Sequence, residues 1–331
     1  MPISKLLATA LLTLLVFLPS ISLAKDETTD TLPISGLLIS IEYEDEEPRK
    51  YEPRLKFLID RAYVEYTELF NGPALKVNGK PYTHLKLKIS HGFYGEADPE
   101  TIELGLSDAK LFGFYNWEMM VLHEVLHFWN AETFRYTDDQ EQWFNEGVTE
   151  YLTFRLAAKI GIIPEDEVIS SFAKPISTYL SAKGIGSISL REAASTDELK
   201  RQHYFLVYHG GFVTGMVLDH QIRVNSKGKK NLTDLMREVY ASNSRHCPYS
   251  QSSLIRSLYK STSQDHSKFF ENYVDGTEII PVGRYFDIGK LGFSQAFNIE
   301  IKDPKQQVLL DMLTFERLET TQGNSEVTSE R

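Results

Sequence analysis

The sequence predicts an α+β fold, in which a small N-terminal mixed β-sheet subdomain is followed by a helical C-terminal subdomain. Alternating apolar residues, the pattern of a half-buried strand, are confined to the chain before about residue 112. From residue 116 onward, apolar residues recur mostly at helical spacing. Since no internal repeat or Gly/Ser linker interrupts the chain, we expect one domain over residues 25–315, divided into 35–112 and 113–315.

The sheet subdomain contains three predicted strands and one helix. Leu37–Tyr43 alternates enough to form a strand. Pro53–Phe70 keeps apolar residues on one helix face, up to the helix-stopping Asn-Gly-Pro at 71–73. His84–Ser90 alternates strictly, with three aliphatic side chains on one face. Thr101–Leu106 is the last predicted strand before the helical part.

The helical subdomain begins at Asn116 with an apolar helix that reaches Trp129. A second helix, about Gln140–Ile160, follows after a short connection. Further helices are predicted at residues 164–180, 197–223, 231–240, 252–258 and 266–273. The polar segment 316–331 lacks the apolar residues that a core needs, so we expect it to be disordered.

The first of these helices carries the most informative motif, His123-Glu124-Val125-Leu126-His127. Histidines four residues apart share one helix face, so one metal ion can reach both imidazoles. Glu146 follows after a gap of eighteen residues and can supply a third ligand. Three protein ligands leave one position of a tetrahedral zinc open, which is typical of a catalytic site. Glu124 is then placed to act as the general base.

An amphipathic helix with two ordinary histidines is the competing interpretation. The apolar stripe of Met119, Leu122 and Leu126, and the position of Glu146 inside a second helix, favour a metal site. Two histidines and one glutamate suit zinc. The sequence therefore predicts one Zn²⁺ as cofactor.

These residues resemble the catalytic domain of the glycyl aminopeptidase family of gluzincin metallopeptidases. The defining pattern is HExxH followed by Glu146. The resemblance spans about Trp117 to Gly292. Its blocks are the zinc-helix ending His127–Asn130, the glutamate helix Trp143–Tyr151, the tyrosine helix Tyr208–Gly211 with Leu218–Arg223, and the C-terminal segment Phe269–Glu278. The resemblance implies a thermolysin-like zincin fold and a peptide or protein substrate.

The resemblance implies roles for Tyr208 and for an edge strand, and the general chemistry of metal sites indicates partners for the histidines. Tyr208, in the Tyr-x-x-Gly segment, would donate to the oxyanion. Glu150, one turn after Glu146, and more weakly Asn130, could orient the metal-binding histidines. Gluzincins bind the substrate backbone along an edge strand, which on this sequence points to Leu104 and Gly105.

Three functions remain open at this stage. The family's Gly-Gly-Leu-Glu-His block is not found upstream of the zinc helix, where the nearest stretch is 102–107, so aminopeptidase and endopeptidase action are not separated. A catalytically inactive, zinc-containing domain that binds peptides or proteins is the alternative to a zinc metallopeptidase. Hydrolysis of a non-peptide substrate at the same metal is the third.

The start of the chain predicts export. Residues 1–24 contain one early lysine, an apolar run and Ser22-Leu23-Ala24, the pattern of a signal peptide cleaved after Ala24. We therefore expect a periplasmic or secreted protein with no stable membrane span after cleavage. The net charge of −11 argues against a nucleic-acid partner. Cys247 is the only cysteine, so no intramolecular disulfide can form. The sequence leaves the oligomeric state undetermined.

Overall fold

The computed structural model describes the backbone of residues 27–31 and residues 36–110, 114–244 and 246–286. The predicted signal peptide, the end of the predicted domain and the predicted tail lie outside these residues, so the domain boundaries stay predictions. Cys247 is exposed. Within the described part, no helix combines the length and the apolar character that a membrane crossing requires.

The described sheet has five strands. They are β1 Glu27–Thr31, β2 Leu38–Tyr43, β3 His84–His91, β4 Tyr94–Asp98 and β5 Thr101–Leu106. Their spatial order is β1-β2-β3-β5-β4. The pairs β2·β3 and β3·β5 are parallel, whereas β1·β2 and β4·β5 are antiparallel, so the sheet is mixed as predicted.

The alternation in the sequence becomes the two faces of this sheet. Leu87 pairs with Ile102 and Ile89 with Leu104, and all four side chains are buried. Helix α1, Glu52–Phe70, buries its own apolar stripe in the same core. It ends at Asn71, whose left-handed φ of 56° closes the helix. The predicted strands and helix of this subdomain are confirmed.

Nine further helices follow the sheet in the described chain. They are α2 Trp117–His127, α3 Gln142–Lys159, α4 Val168–Leu180, α5 Leu190–Ala194, α6 Asp197–Gln202, α7 Tyr204–Asn225, α8 Leu232–Ser242, α9 Gln251–Thr262 and α10 Ser267–Tyr273. The helix predicted over 197–223 is divided at His203 into α6 and α7. The sequence analysis missed β1, β4 and α5.

Helices α3 and α7 cross at two glycines. A Cβ added to Gly211 would lie 2.1 Å from the backbone oxygen of Trp143, and one added to Gly147 would lie 2.3 Å from the Cα of Gly211. Only glycine permits this approach. Glu146 adjoins Gly147, and Tyr208 precedes Gly211 by about one turn. The crossing therefore brings these two side chains to the same cleft.

The expected position of Leu104 and Gly105 at a sheet edge is wrong. Strand β5 pairs with β3 on one side and with β4 on the other, so its backbone groups are used within the sheet. Strand β4 forms the edge of the described sheet on this side. A tight turn after Asp98 reverses the chain, so that β5 lies between β3 and β4. The last strand before helix α2 is therefore internal to the sheet.

Candidate metal centre

Helix α2 places His123 and His127 in the floor of a cleft. The side chain of Asn116 accepts from the backbone N–H of Met119 at 3.0 Å and so caps the helix start. Both histidines are buried. Their ring centroids lie 4.8 Å apart, as expected for an i, i+4 pair.

Glu146 on α3 completes the cluster. Its Oε2 lies 3.4 Å from His123 Nε2 and 3.5 Å from His127 Nε2. One ligand atom from each of the three residues lies within 4.8 Å of the others. Ligand atoms about 2.0–2.1 Å from a tetrahedral zinc are about 3.3–3.5 Å apart, so the Oε2 spacing fits one zinc ion.

The electrostatics favour an ionised Glu146. Burial alone would raise its pKa, but the contacts with His123 and His127 and the charge of Lys200 hold that pKa well below its usual range. A carboxylate that stays ionised is a competent metal ligand.

Asn130 lies against His127. A π-helical turn, Phe128–Thr133, continues α2 and brings Asn130 Oδ1 to 3.1 Å from His127 Nδ1. The amide nitrogen of Asn130 donates to the backbone oxygen of Asn145 at 3.2 Å, which leaves Oδ1 as the acceptor. His127 Nδ1 therefore carries the proton, and Nε2 is free to bind metal. Asn130 therefore contacts a candidate metal-binding histidine, and its orienting role stays a prediction.

Glu150 does not reach a zinc histidine, so its predicted contact is wrong. Its Oε1 lies 3.3 Å from Nε2 of His209, a buried residue of α7. Glu150 does lie one turn after Glu146 on the cleft side, as predicted. The close crossing of α3 and α7 supplies a nearer partner. His123 Nδ1 has no hydrogen-bond partner among the described residues.

Glu124 lies between the zinc-binding residues and strand β4. A Cβ on Gly95 would be 2.5 Å from Glu124 Oε1, so the strand passes directly against this carboxylate. Burial raises the pKa of Glu124, while the nearby His123 and His127 lower it in part. A raised pKa suits a group that takes up a proton and then releases it.

The cleft has a volume of about 740 Å³ and is lined by the three candidate ligands, Glu124 and Lys200. Its walls come from β4, α2, the start of α3, α6 and α7. Tyr208 lines it with its ring 6.3 Å from that of His123, stacked 4.1 Å from Tyr204. Burial raises the pKa of Tyr208 well above its ordinary value, so the phenol keeps its proton and can donate.

The M61 glycyl aminopeptidase family model matches residues 117–230. This segment contains the three candidate ligands, Glu124 and Tyr208. The predicted resemblance is confirmed, and the donor set agrees with the predicted zinc cofactor of this metallopeptidase family. A comparison with curated protein sequences gave no match.

Solved structures show the same fold. An aminopeptidase N family protein from Idiomarina loihiensis superposes with a TM-score of 0.66 at 17% identity, over 80% of this chain and 49% of that one. Aminopeptidase A from Legionella pneumophila, in complex with aspartic acid, has a TM-score of 0.56 at 13% identity, over 77% of this chain and 28% of that one. An M1 zinc metallopeptidase from Deinococcus radiodurans has a TM-score of 0.55 at 13% identity, over 77% of this chain and 52% of that one.

These likenesses confirm the predicted α+β zincin fold. The chain spans about half the length of the Idiomarina protein and less than a third of the Legionella protein. Two site residues escaped the sequence analysis. Lys200 had no motif spacing to reveal it, whereas Gly95 was detectable in principle, because Tyr94–Asp98 places small residues at alternate positions.

Proposed function

We propose that the chain is a zinc-dependent metallopeptidase that hydrolyses peptide bonds with Glu124 as general base. One observation carries this proposal: Glu124 lies in a single cleft between the two-histidine, one-glutamate cluster and the edge strand β4. A zinc ion held by His123, His127 and Glu146 would supply Lewis acidity and lower the pKa of water.

The side chains of the chain then have separate roles. Glu124 takes the proton of the attacking water and passes it to the leaving amine. Tyr208 donates its phenolic hydrogen to the oxyanion that develops on the scissile carbonyl. Asn130 keeps His127 in the tautomer that exposes Nε2.

Strand β4 is positioned to bind the substrate backbone. Its partner β5 occupies one side, and the described chain contributes no strand to the other. Gly95 and Ala97 pair with the core residues Leu104 and Ile102, so they share the face turned toward α2. Glu124 fills the space beside Gly95, so an extended peptide added as a further strand along the free edge of β4 would lie next to the proposed base.

The charges of the cleft favour cationic substrates. Acidic side chains outside the metal and base positions outnumber the basic ones, Arg135 and Lys200; they are Glu96, Asp98, Glu132, Asp139, Glu150 and Asp197. A free amino terminus or a basic side chain would gain attraction from these carboxylates. Both aminopeptidase and endopeptidase action on such peptides fit this arrangement.

The zinc-loaded protein should be incubated with a mixed peptide library and the products analysed by mass spectrometry. Loss of single N-terminal residues would identify an aminopeptidase, and internal cleavage an endopeptidase. We expect the cleaved peptides to be enriched in basic residues near the scissile bond. If no peptide is cut while zinc binds stoichiometrically, the peptidase proposal fails and a peptide-binding domain takes its place.

Tyr208→Phe should lower kcat by about 10²–10³-fold with little change in KM, because the phenol acts mainly in the transition state. Steady-state kinetics on a cleaved peptide would measure this. Tyr204→Phe is the matched control, since its ring stacks on Tyr208 in the same cleft. A larger loss of kcat in Tyr204→Phe than in Tyr208→Phe would show that Tyr204, and not Tyr208, is the hydrogen-bond donor to the oxyanion.

We further propose that the protein is exported. The support is the signal-peptide pattern of residues 1–24. Intact-mass measurement of the protein from the extracellular or periplasmic fraction should give a chain that begins at Lys25. A chain that keeps Met1 in the cytoplasmic fraction would contradict the proposal.

A further inference from the structure

The metal cluster has one further, partly buried contact that takes no part in the proposed hydrolysis. Lys200, on α6, places its Nζ 3.0 Å from Glu146 Oε1 and 2.6 Å from Gln142 Oε1. The same ammonium lies 5.9 Å from the centre of the Tyr208 ring. Its side chain is 22% exposed, so much of it is withdrawn from water. Such a contact must offset the cost of partly desolvating an ammonium group.

The two oxygens of Glu146 have different partners. Oε2 lies 3.4 and 3.5 Å from the two histidine Nε2 atoms, at the spacing of ligands on one zinc. Oε1 is engaged by Lys200. The lysine contact is therefore compatible with metal binding through Oε2, because Lys200 contacts the other oxygen of the carboxylate.

A carboxylate can bind a metal through one oxygen or through both. A charge-assisted hydrogen bond from Lys200 stabilises charge on Oε1 and opposes its rotation toward the metal. Gln142 Oε1 accepts from the same ammonium and so fixes its position. The start of helix α6 is capped by Thr196, whose side chain accepts from the N–H of Leu199 at 3.2 Å.

We propose that Lys200 is a positioning residue that restricts Glu146 to metal binding through Oε2 alone. This arrangement strengthens zinc binding by fixing the ligand, and it keeps a coordination position open for the reaction. The inference rests on the proposed zinc site, but its test does not need peptidase activity.

The test compares Lys200→Met, Lys200→Arg and Arg201→Met. Arg201 is the matched control because it is exposed on the same short helix and does not line the cleft. Zinc affinity is measured by competition with a chelator. We expect Lys200→Met to weaken zinc binding by about 10–100-fold, the range for residues that orient metal ligands. Lys200→Arg should recover part of this loss, and Arg201→Met should show none.

A spectroscopic readout separates positioning from a general loss of stability. The protein is loaded with Co²⁺, whose visible absorption weakens as its coordination number rises. Lys200→Met should show weaker bands than the parent protein, because Glu146 becomes free to bind through both oxygens. Thermal unfolding of the metal-free proteins checks that the variants fold, and Lys200→Gln, which keeps a donor without the charge, is the reserve variant.

Unchanged zinc affinity and an unchanged Co²⁺ spectrum in Lys200→Met would overturn the proposal. The same two results, combined with a raised KM for peptides that carry a free C-terminal carboxylate, would instead identify Lys200 as a substrate contact. If no variant or parent protein cleaves peptides but Lys200→Met still binds zinc more weakly, the positioning role stands and only the peptidase proposal fails.

Discussion

Glu124→Gln is expected to lower kcat/KM by about 10²–10⁴-fold, the contribution of a well-placed general base. Glutamine fills the same volume against Gly95 but cannot accept the proton of the attacking water. The three metal ligands are untouched, so zinc content should equal that of the parent protein. Kinetics on the peptide found in the library experiment, together with elemental analysis of zinc, would measure both quantities.

Glu118→Gln is the matched control for this substitution. Glu118 lies on the same helix, but its carboxylate contacts Arg54 and does not line the cleft. This variant should keep its kcat/KM within a few-fold of the parent. Retention of activity by zinc-loaded Glu124→Gln would remove the general-base assignment, whereas loss of zinc from it would show that Glu124 supports the metal instead.

Gly211→Ala is expected to destabilise the fold strongly, although it adds only one methyl group. The new Cβ would lie 2.1 Å from the backbone oxygen of Trp143 and 2.8 Å from the Cα of Gly147, so two helices must separate. Overpacking of this kind costs about 1–3 kcal/mol, occasionally more. For a chain of this size, each kcal/mol lowers Tm by about 1–2 °C. Calorimetry on the metal-free protein would measure the change.

Gly215→Ala provides the comparison on the same helix. A Cβ there meets the side chain of Val148 at 3.3 Å, and a side chain can shift where a backbone cannot. Alanine is also favoured over glycine inside a helix by about 1 kcal/mol. We therefore expect Gly215→Ala to be near neutral or stabilising. Equal stability of the two variants would show that α3 and α7 do not approach as closely as Gly211 and Gly147 indicate.

The parts of the site that follow from local periodicity were predictable. Histidines at i and i+4 lie on one face of any helix, and the apolar stripe beside them fixes which face points inward. The same reasoning located β2, β3 and β5, whose alternating side chains form a buried face. The third ligand was found because it belongs to a recognisable second helix.

The parts that depend on how distant elements cross were not predictable. Glu150 has the spacing to contact a zinc histidine, yet α7 brings His209 closer to it. Lys200 is separated from Glu146 by 54 residues, and nothing in its spacing links the two. Strand β4 is short and contains Gly95, which weakens its strand pattern. The sequence analysis therefore assigned the edge position to β5, because the strand pattern of β5 is stronger.

The backbone groups of an edge strand such as β4 can form the same hydrogen bonds with a peptide or with β4 of a second molecule. Were two β4 strands to meet antiparallel about Ala97, Glu96 of one would face Asp98 of the other, and the like charges would repel. The carboxylates of this edge thus oppose the pairing of two copies of the protein through β4. They do not oppose the binding of a cationic peptide. Replacing both carboxylates with neutral side chains would reduce the preference for cationic peptides. It would also leave an edge strand that can pair with a second copy of the protein.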